Sequence, residues 1–332
     1  MKYPIDVGKV KGMHKKIWDR IRGTFGLPRG TKALPIFGHY GGVFQVGKEL
    51  LVIHCDGVGT KVLVARKLGK YDTIGIDAVA MSVNDILCLG AEPLVGVDYI
   101  ALSNEDEILV DELMKGLVSG AQDSNCAILG GETAVVPELL HDEKTFDLTF
   151  TVVGKVYGKL ITGQACQPGD ILIGLESSGL HSNGYSLARK ILDIEKWGKE
   201  MLEPTRIYVK RVLAILAEEE LHGIAHITGG AFSKLTRINN DVGFLLNNMP
   251  KMPRIFDELH KSVGDIGDMY KTFNCGVGMV LVAKKESESD IHKILKRWKL
   301  KSYVIGEIIN KPGVWLEYGN KSVDLNVRMN SE

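Results

Sequence analysis

The chain has 332 residues, more than one hydrophobic core usually serves, so two domains are expected. Lys plus Arg equals Asp plus Glu at 41 each, which excludes a global field that would attract nucleic acid or an anionic membrane. Five cysteines without a C-x-x-C pair argue against a disulfide framework and a structural zinc site. The sequence opens without an apolar signal core, and no stretch reaches the length of a membrane span, so we expect a cytoplasmic protein.

The first half of the chain alternates apolar and amphipathic runs. Residues 1–48 are rich in Gly, Lys and Pro, with one short amphipathic segment at 13–22 and a long loop predicted at 29–42. They are predicted to form a mobile glycine-rich lid, because so long a loop is unusual unless it is functional. Beyond it the pattern predicts a strand at 50–53, a helix at 73–89, a strand at 94–101, a helix at 110–124 and strands at 127–129 and 146–156. A seam at 162–169 follows, and we place the domain boundary there.

The second half repeats this alternation. It predicts a strand at 171–175, a helix at 185–192, a long helix capped by Thr205, and strands at 224–227 and 279–282. Since strands and helices alternate in both halves, the expected fold class is α/β, with one α/β domain at 1–163 and a second at 169–332.

An acidic turn of sequence DGVGTK follows the first strand of the 50–53 region. Its spacing fits neither a P-loop nor a dinucleotide loop. Asp56 offers a carboxylate, Thr60 a hydroxyl and Lys61 an ammonium, a set suited to Mg²⁺ and phosphate. Gly57 and Gly59 let backbone N–H groups approach an anion. A plain hairpin turn is the alternative that the spacing leaves open.

The helix predicted at 73–89 carries further oxygen ligands. Asp77 and Asn84 lie two helical turns apart and project from one side, with Asp85 beside Asn84. A solvated helix face is the commoner outcome for such a pattern, although no Lys or Arg follows Asp77 within the helix. Glu132 stands in a glycine loop after a strand, where α/β proteins gather ligands, and a surface turn explains it nearly as well.

The loop SSGLHSNG joins a strand to a helix in the second half. The free N–H groups of that helix can receive an anion, and His181 stands where the anion would bind. This position suggests a general acid/base or a phosphate partner, and the small polar residues around His181 argue against a core position. The run Thr228-Gly229-Gly230 is similar in design and is predicted to be a second anion loop.

Taken together, these segments resemble one family, the aminoimidazole ribonucleotide synthetases of purine biosynthesis. The similarity extends from about residue 51 to residue 279, and its motifs occur in one order. They are DGVGTK at 56–61, DTIGID at 72–77, D-x4-G-A-x-P from Asp85, GGETA at 130–134, SSGLHSNGYSL at 177–187, PTRIYVK at 204–210 and MYKTFNCGVGM at 269–279. This ordered set is far more specific than any single glycine loop.

The resemblance implies ATP-dependent ring closure of formylglycinamidine ribonucleotide to aminoimidazole ribonucleotide, with release of ADP and phosphate. ATP would phosphorylate the formyl oxygen, and the neighbouring nitrogen would then attack the activated carbon. ATP is the implied co-substrate and Mg²⁺ the implied cofactor. The resemblance further implies a homodimer whose N-terminal sheets join in a barrel, with small-molecule substrates and neither nucleic acid nor membrane as a partner.

Site residues carry over from the family by matching position. The implied metal ligands are Asp56, Asp77, Asp85 and Glu132. The residues implied to bind ATP and phosphate are Asp56, Gly57, Gly59, Thr60, Lys61, Thr228, Gly229 and Gly230. The residues implied to bind substrate are Glu132, Ser178, His181 and Asn183. Those implied to be catalytic are Lys61, Asp85 and His181.

Two other kinds of protein compete with this interpretation. Related enzymes of the same superfamily include thiamine-monophosphate kinase and selenophosphate synthetase. The latter expects a reactive Cys near its N-terminus, and no Cys precedes Cys55, whereas a small-molecule kinase is not expected to carry the TFNCGVG run at 272–278. A catalytically silent nucleotide-binding partner is the third possibility, and the intact acidic groups and Lys61 argue against it.

Overall fold

The computed structural model describes residues 7–36, 38–140, 142 and 144–326. The chain forms two consecutive α/β units, each built on one mixed sheet. The helices are α1 Val7–Ile21, α2 Val62–Leu68, α3 Ile74–Leu87, α4 Glu107–Ser124, α5 Tyr185–Ile191, α6 Ile194–Met201, α7 Val209–Leu216, α8 Arg254–Val263, α9 Ile266–Thr272 and α10 Glu288–Arg297. The strands are β1 Thr31–Leu34, β2 Gly42–Val46, β3 Glu49–Gly57, β4 Ala91–Leu102, β5 Ala127–Val135, β6 Phe146–Val156, β7 Ile171–Glu176, β8 Gly223–His226, β9 Gly243–Leu246, β10 Val277–Ala283, β11 Ser302–Ile309, β12 Gly313–Tyr318 and β13 Lys321–Asp324. The predicted α/β class is confirmed.

The N-terminal sheet has six strands in the order β1-β2-β3-β6-β4-β5. Only β4 and β5 pair in parallel, and the other neighbours are antiparallel. β3 ends at the acidic turn, so the sheet delivers Asp56 to the edge of the unit that faces the second half of the chain. β6 has the bounds predicted from its alternating pattern.

Helix α3 is the centre of the molecule. It contacts β3, β4 and β6 on one side and α4, α7 and β8 on others, and all its residues except Ile76 are buried. A Cβ atom at Gly75 would overlap the backbone of α4 at Leu113 and Leu117, so glycine permits the close crossing of α3 and α4. The helix is therefore shared between the two units, and its polar side chains must find partners inside the protein.

The C-terminal sheet has seven strands in the order β13-β12-β9-β11-β7-β10-β8. β12 and β9 pair in parallel and the remaining neighbours are antiparallel. Every residue of β10 and of β8 is buried. Edge strand β8 contacts α3, and this contact brings the C-terminal sheet to the acidic residues of the first unit.

The N-terminal region differs from the predicted lid. Helix α1 covers most of the amphipathic segment predicted at 13–22, whereas strand β1 lies inside the loop predicted at 29–42, so that prediction is wrong at β1. The strands form because β2 pairs with β3 and extends the sheet. Residues 1–6 and 37, which also belong to the predicted lid, lie outside the described residues.

The long helix predicted after Thr205 is also different. Helix α7 begins at Val209 and has eight residues, and Thr205 does not cap it. Residues 204–208 are instead drawn against α3, where their backbone meets Asp77 and Asn84. In the part of the chain that the structure describes, no helix is long and apolar enough to cross a membrane.

Candidate active site between the two units

His54, Asp56 and Asp85 form the most compact group of ligand-type side chains. One ligand atom from each lies within 4.8 Å of the others. His54 and Asp56 are two residues apart on β3 and so share a face of the strand, which is the face that meets α3 and Asp85. The structure thus joins two of the predicted metal ligands, and it adds an imidazole that the sequence reasoning missed.

Asp85 is held from both units. Its Oδ1 lies 2.7 Å from Nδ1 of His226 on β8, and its Oδ2 lies 3.4 Å from Nε2 of His54. Burial alone would raise the pKa of Asp85, but the hydrogen bond and charge of His226 outweigh burial, and the pKa is lowered. Asp85 is therefore held as a carboxylate. His226 is buried, and its Nε2 has no hydrogen-bond partner among the described residues.

Asp56 has the opposite electrostatic situation. Burial, and then the charge of Asp85, raise the pKa of Asp56, while His54 and the backbone N–H of Gly57 lower it. That N–H donates to Oδ1 of Asp56 over 2.8 Å. A carboxylate whose pKa is raised by a neighbouring carboxylate is a ready site for a cation, since a cation removes the repulsion between them. Two carboxylates and an imidazole are a donor set that fits a divalent metal ion.

Lys61 and Asp77 form a closed ion pair away from solvent. Nζ of Lys61 lies 2.8 Å from Oδ2 of Asp77, and both side chains have 0% exposure. The same ammonium donates to the carbonyl of Glu203, and Oδ1 of Asp77 accepts from Ser182 and from both the N–H and the hydroxyl of Thr205. Burial lowers the pKa of Lys61 against the opposing attraction of Asp77. The pair fastens α3 to the second unit.

Asn84, two helical turns after Asp77, forms a second set of hydrogen bonds between α3 and the second unit. Its side-chain amide donates to the carbonyl of Arg206 over 2.8 Å, and its oxygen accepts from the N–H of Tyr208 over 2.9 Å. Asn84 therefore bonds to the backbone of the segment before α7. Because Asn84 is fully buried, the solvated helix face considered as an alternative is excluded at this residue.

His181 is completely buried, so the expectation that it lies outside the core is wrong. It takes a left-handed backbone conformation, φ 61°, in the turn that leads to α5, and the turn folds inward against Tyr208 and His226. The N–H of Ser178 donates to its Nε2 over 3.2 Å, so the neutral ring carries its proton on Nδ1. In the part of the chain that the structure describes, Nδ1 has no hydrogen-bond partner. Burial, and then the charges of His226, Lys61 and Arg206, lower the pKa of His181 well below its usual range.

The remaining predicted residues of this loop line the same region. Ser178 donates its hydroxyl to the carbonyl of Pro204. Asn183 is half-buried, its Nδ2 has no partner, and its Oδ1 lies 3.2 Å from where a Cβ of Gly229 would stand. The loop of the predicted substrate residues and the second anion loop are therefore in contact.

The two predicted glycine loops differ in exposure. Gly59 and Thr60 are exposed, and Gly59 has φ 68°, which favours glycine. Thr228 is buried, and its hydroxyl accepts a 2.5 Å hydrogen bond from Lys234, a second residue that the sequence reasoning missed. The signal for Lys234 was its place six residues after Thr228 in a glycine-rich turn.

Glu132 differs from the other predicted carboxylates in its neighbours and in its exposure to solvent. It is exposed on edge strand β5, opposite Tyr99 of β4, and no contact joins it to Asp56 or Asp85 among the described residues. Its role as a ligand of metal or substrate stays a prediction, as do the roles of the other residues of the site.

Comparison with known proteins adds independent findings. Residues 38–156 match the family model described as AIR synthase related protein, N-terminal domain, and residues 167–319 match the C-terminal domain model. A Pyrococcus furiosus protein named phosphoribosylformylglycinamidine cyclo-ligase is 44% identical over 333 residues, 96% of this chain and 98% of that protein. A Thermococcus kodakarensis protein of the same name is 43% identical, with 96% and 97% covered.

A solved structure supports the fold. The thiamine-monophosphate kinase of Stenotrophomonas maltophilia matches with a TM-score of 0.62 and 18% identity, covering 90% of this chain and 95% of that one. Likeness at this level of identity concerns the fold alone, and so it does not favour a kinase.

Proposed function

We propose that this chain, which belongs to the AIR synthase related family, uses ATP to close the imidazole ring of formylglycinamidine ribonucleotide. The products are aminoimidazole ribonucleotide, ADP and phosphate, and the step belongs to purine biosynthesis. Family membership is shown by the two domain matches and by relatives of the same length, and it confirms the resemblance predicted from the motifs. The observation that carries the proposal is the placement of Asp85 between His54 of the first unit and His226 of the second.

The proposed reaction has two stages. The formyl oxygen attacks the γ-phosphorus of ATP, and the bond from that phosphorus to the β–γ bridging oxygen breaks as ADP leaves. The neighbouring nitrogen then attacks the activated carbon, the carbon–oxygen bond breaks, phosphate departs and the nitrogen loses its proton. The chief need is to place and neutralise phosphate charge, so charged groups carry more of the catalysis than any single base.

Asp56 and Asp85 would hold the Mg²⁺ ion of the proposed reaction through their oxygen atoms, with His54 beside Asp85. When bound, that ion neutralises phosphate oxygens and orients them. The hydrogen bond from His226 fixes the orientation of the Asp85 carboxylate, as partners of metal ligands commonly do. Glu132 stays a proposed ligand of metal or substrate, contributed from β5.

Lys61 and Asp77 receive a revised proposal. The sequence assigned Lys61 to the transferred phosphoryl group and Asp77 to metal. In the structure the ammonium is already bound by Asp77 and by the carbonyl of Glu203, so Lys61 has to leave this pair to reach a ligand. We therefore propose that the two residues position α3, and with it Asp85, against the second unit.

The two glycine loops and the buried histidine complete the proposed site. Gly57, Gly59 and Thr60 would contact ATP from the first unit, and Thr228 with its glycines would do so from the second. Ser178, His181 and Asn183 would contact the substrate, with Nδ1–H of His181 as a neutral hydrogen-bond donor.

We also propose that the chain forms a homodimer through its N-terminal sheet, in domain 1–163, in which residues 1–48 would cover ATP. The sheet exposes large apolar side chains, among them Ile53 at 42%, Val97 at 43%, Tyr99 at 41% and Leu129 at 69%. A second copy would bury this face and join the two sheets in a barrel. Sedimentation should give a dimer, and Val97→Asp should give monomers, whereas a monomeric wild type contradicts the proposal. A cytoplasmic location follows from the proposed pathway.

The activity is tested with purified protein, Mg-ATP and formylglycinamidine ribonucleotide. We expect phosphate release in step with formation of a diazotisable aminoimidazole. ATP hydrolysis that is indifferent to the ribonucleotide would overturn the proposal. A phosphorylated substrate that accumulates without ring closure would instead identify a small-molecule kinase, the main competing enzyme class.

A further inference from the structure

The ammonium of Lys234 forms no ion pair with any residue that the structure describes. It lies in the short helix Ala231–Arg237 that follows the Thr228-Gly229-Gly230 turn, and its Nζ donates to the hydroxyl of Thr228 over 2.5 Å. Across residues 7–36, 38–140, 142 and 144–326, no carboxylate lies within 4.0 Å of this ammonium. The hydroxyl of Thr228 is neutral and satisfies only one of three N–H groups, so the ammonium retains the capacity to bind an anion.

The pKa of Lys234 responds to the charges of the acidic cluster. Burial, and then the charge of Arg237, lower the pKa of Lys234 to about 8, while Asp85 and Asp56 act in the opposite direction. The residue is partly accessible, although protein surrounds its ammonium. Geometry connects the same groups: Asp85 lies 2.7 Å from His226, and Thr228, which accepts from Lys234, follows His226 by two residues. A phosphate bound with a metal ion at the carboxylates would bring negative charge to this ammonium.

The glycine turn connects Lys234 to the predicted substrate loop. A Cβ at Gly230 would lie 3.6 Å from Cγ and 3.8 Å from Cε of Lys234, so the side chain runs back along the turn. A Cβ at Gly229 would lie 3.2 Å from Oδ1 of Asn183, whose buried Nδ2 has no hydrogen-bond partner among the described residues. The Lys234 ammonium, with two N–H groups left after the bond to Thr228, and the Asn183 amide therefore flank one glycine turn.

We propose that Lys234 is a catalytic residue that binds the phosphoryl group during its transfer from ATP to the formyl oxygen. The inference rests on the proposed function and adds a residue to it. Lys234 stays protonated: it donates hydrogen bonds to the peripheral oxygens of the phosphoryl group while the bond to ADP breaks and the bond to the formyl oxygen forms. It then holds the departing phosphate when the ring nitrogen displaces it from carbon.

The test compares Lys234→Met, which keeps the volume of the side chain without its charge, with Lys234→Arg. The matched control is Lys199→Met, which removes an exposed lysine of α6. We expect Lys234→Met to lower kcat on the order of 10²–10³-fold, since a lost charge at the transition state acts on the chemical step. KM for ATP should change less than about threefold, and Lys234→Arg should recover part of kcat.

A binding measurement separates this inference from the function it rests on. Calorimetric titration with inorganic phosphate in the presence of Mg-ADP needs no turnover, and we expect Lys234→Met to weaken phosphate at least about tenfold. Suppose that the wild type makes no aminoimidazole but binds phosphate more tightly than Lys234→Met does. The proposed function then fails, and the phosphate site at Lys234 stands. Wild-type kcat together with unchanged phosphate affinity in Lys234→Met overturns the inference. A lowered melting temperature with phosphate affinity intact also overturns it, because Lys234 then only braces the turn at Thr228.

Discussion

Asp77 and Asp85 stand on the same helix, eight residues apart, and they serve the molecule in different ways. Asp77 meets an ammonium, two hydroxyls and a backbone N–H, and its carboxylate is fully buried. Asp85 meets two imidazoles and faces a second carboxylate and the Lys234 side of the cleft. The role of a carboxylate in a motif therefore depends on the partners that the rest of the fold brings to it.

The largest effect is expected when the carboxylate of Asp85 is neutralised. Asp85→Asn keeps the shape of the side chain and removes the charge that the proposed metal ion needs. We expect kcat/KM to fall on the order of 10³-fold, measured as aminoimidazole formed. Asp290→Asn, on the exposed face of α10, is the matched control and should leave the rate unchanged. Equal rates in Asp85→Asn and the wild type would remove Asp85 from the site.

The next effect concerns the stability that the closed pair provides. Lys61→Met leaves the carboxylate of Asp77 buried without its cation, and breaking a buried pair in this way costs about 3–5 kcal/mol of unfolding free energy. Urea denaturation measures the loss. Lys155→Met breaks the half-exposed pair with Glu49 and should cost at most about 1 kcal/mol. Similar costs for both variants would mean that Lys61 is free to bind a ligand and that the comparison with Asp85 is mistaken.

The smallest effect is a pH dependence at His181. Its pKa is lowered in the folded protein, chiefly by burial, so the unfolded chain binds the proton first when the pH falls below about 6.5. Stability should therefore decrease toward acid, with a slope of up to about 1.4 kcal/mol per pH unit from this residue. His181→Asn tolerates the left-handed backbone and should flatten the profile between pH 5 and 7. His14→Asn, an exposed control, should leave the profile of the wild type.

Much of the frame was predictable because it depends on local patterns. The alternation of residues 146–156 gave β6 its bounds, and the stripe of Val79, Val83 and Ile86 predicted α3. The first 48 residues were harder, because β1 and β2 exist through pairing with β3 rather than through strong patterns of their own. Sheet edges of this kind depend on partners that a local window does not contain.

Several residues of the site could be predicted from the sequence, but which residues lie close together was harder to predict. The motifs supplied Asp56 and Asp85, but His54 stood outside the motif, and only its position two residues before Asp56 on a strand could have identified it. His226 and Lys234 meet the acidic cluster from the second unit, and no spacing rule relates residues so distant in sequence. His181 was misjudged because its polar neighbours suggested solvent, whereas they turn the chain inward and bury the ring.

The hydrogen bond between Asp85 and His226 spans 141 residues of sequence. At a synthesis rate of about 5–20 residues per second, Asp85 is therefore joined to the nascent chain roughly 7–30 s before its histidine partner exists. Asp77 waits similarly for Thr205. The nascent first unit must meanwhile keep two charged groups of its central helix hydrated, so α3 can dock fully only when the second unit arrives. A chain interrupted before residue 226 would consequently present a loosened helix and an exposed core, features that chaperones and proteases recognise.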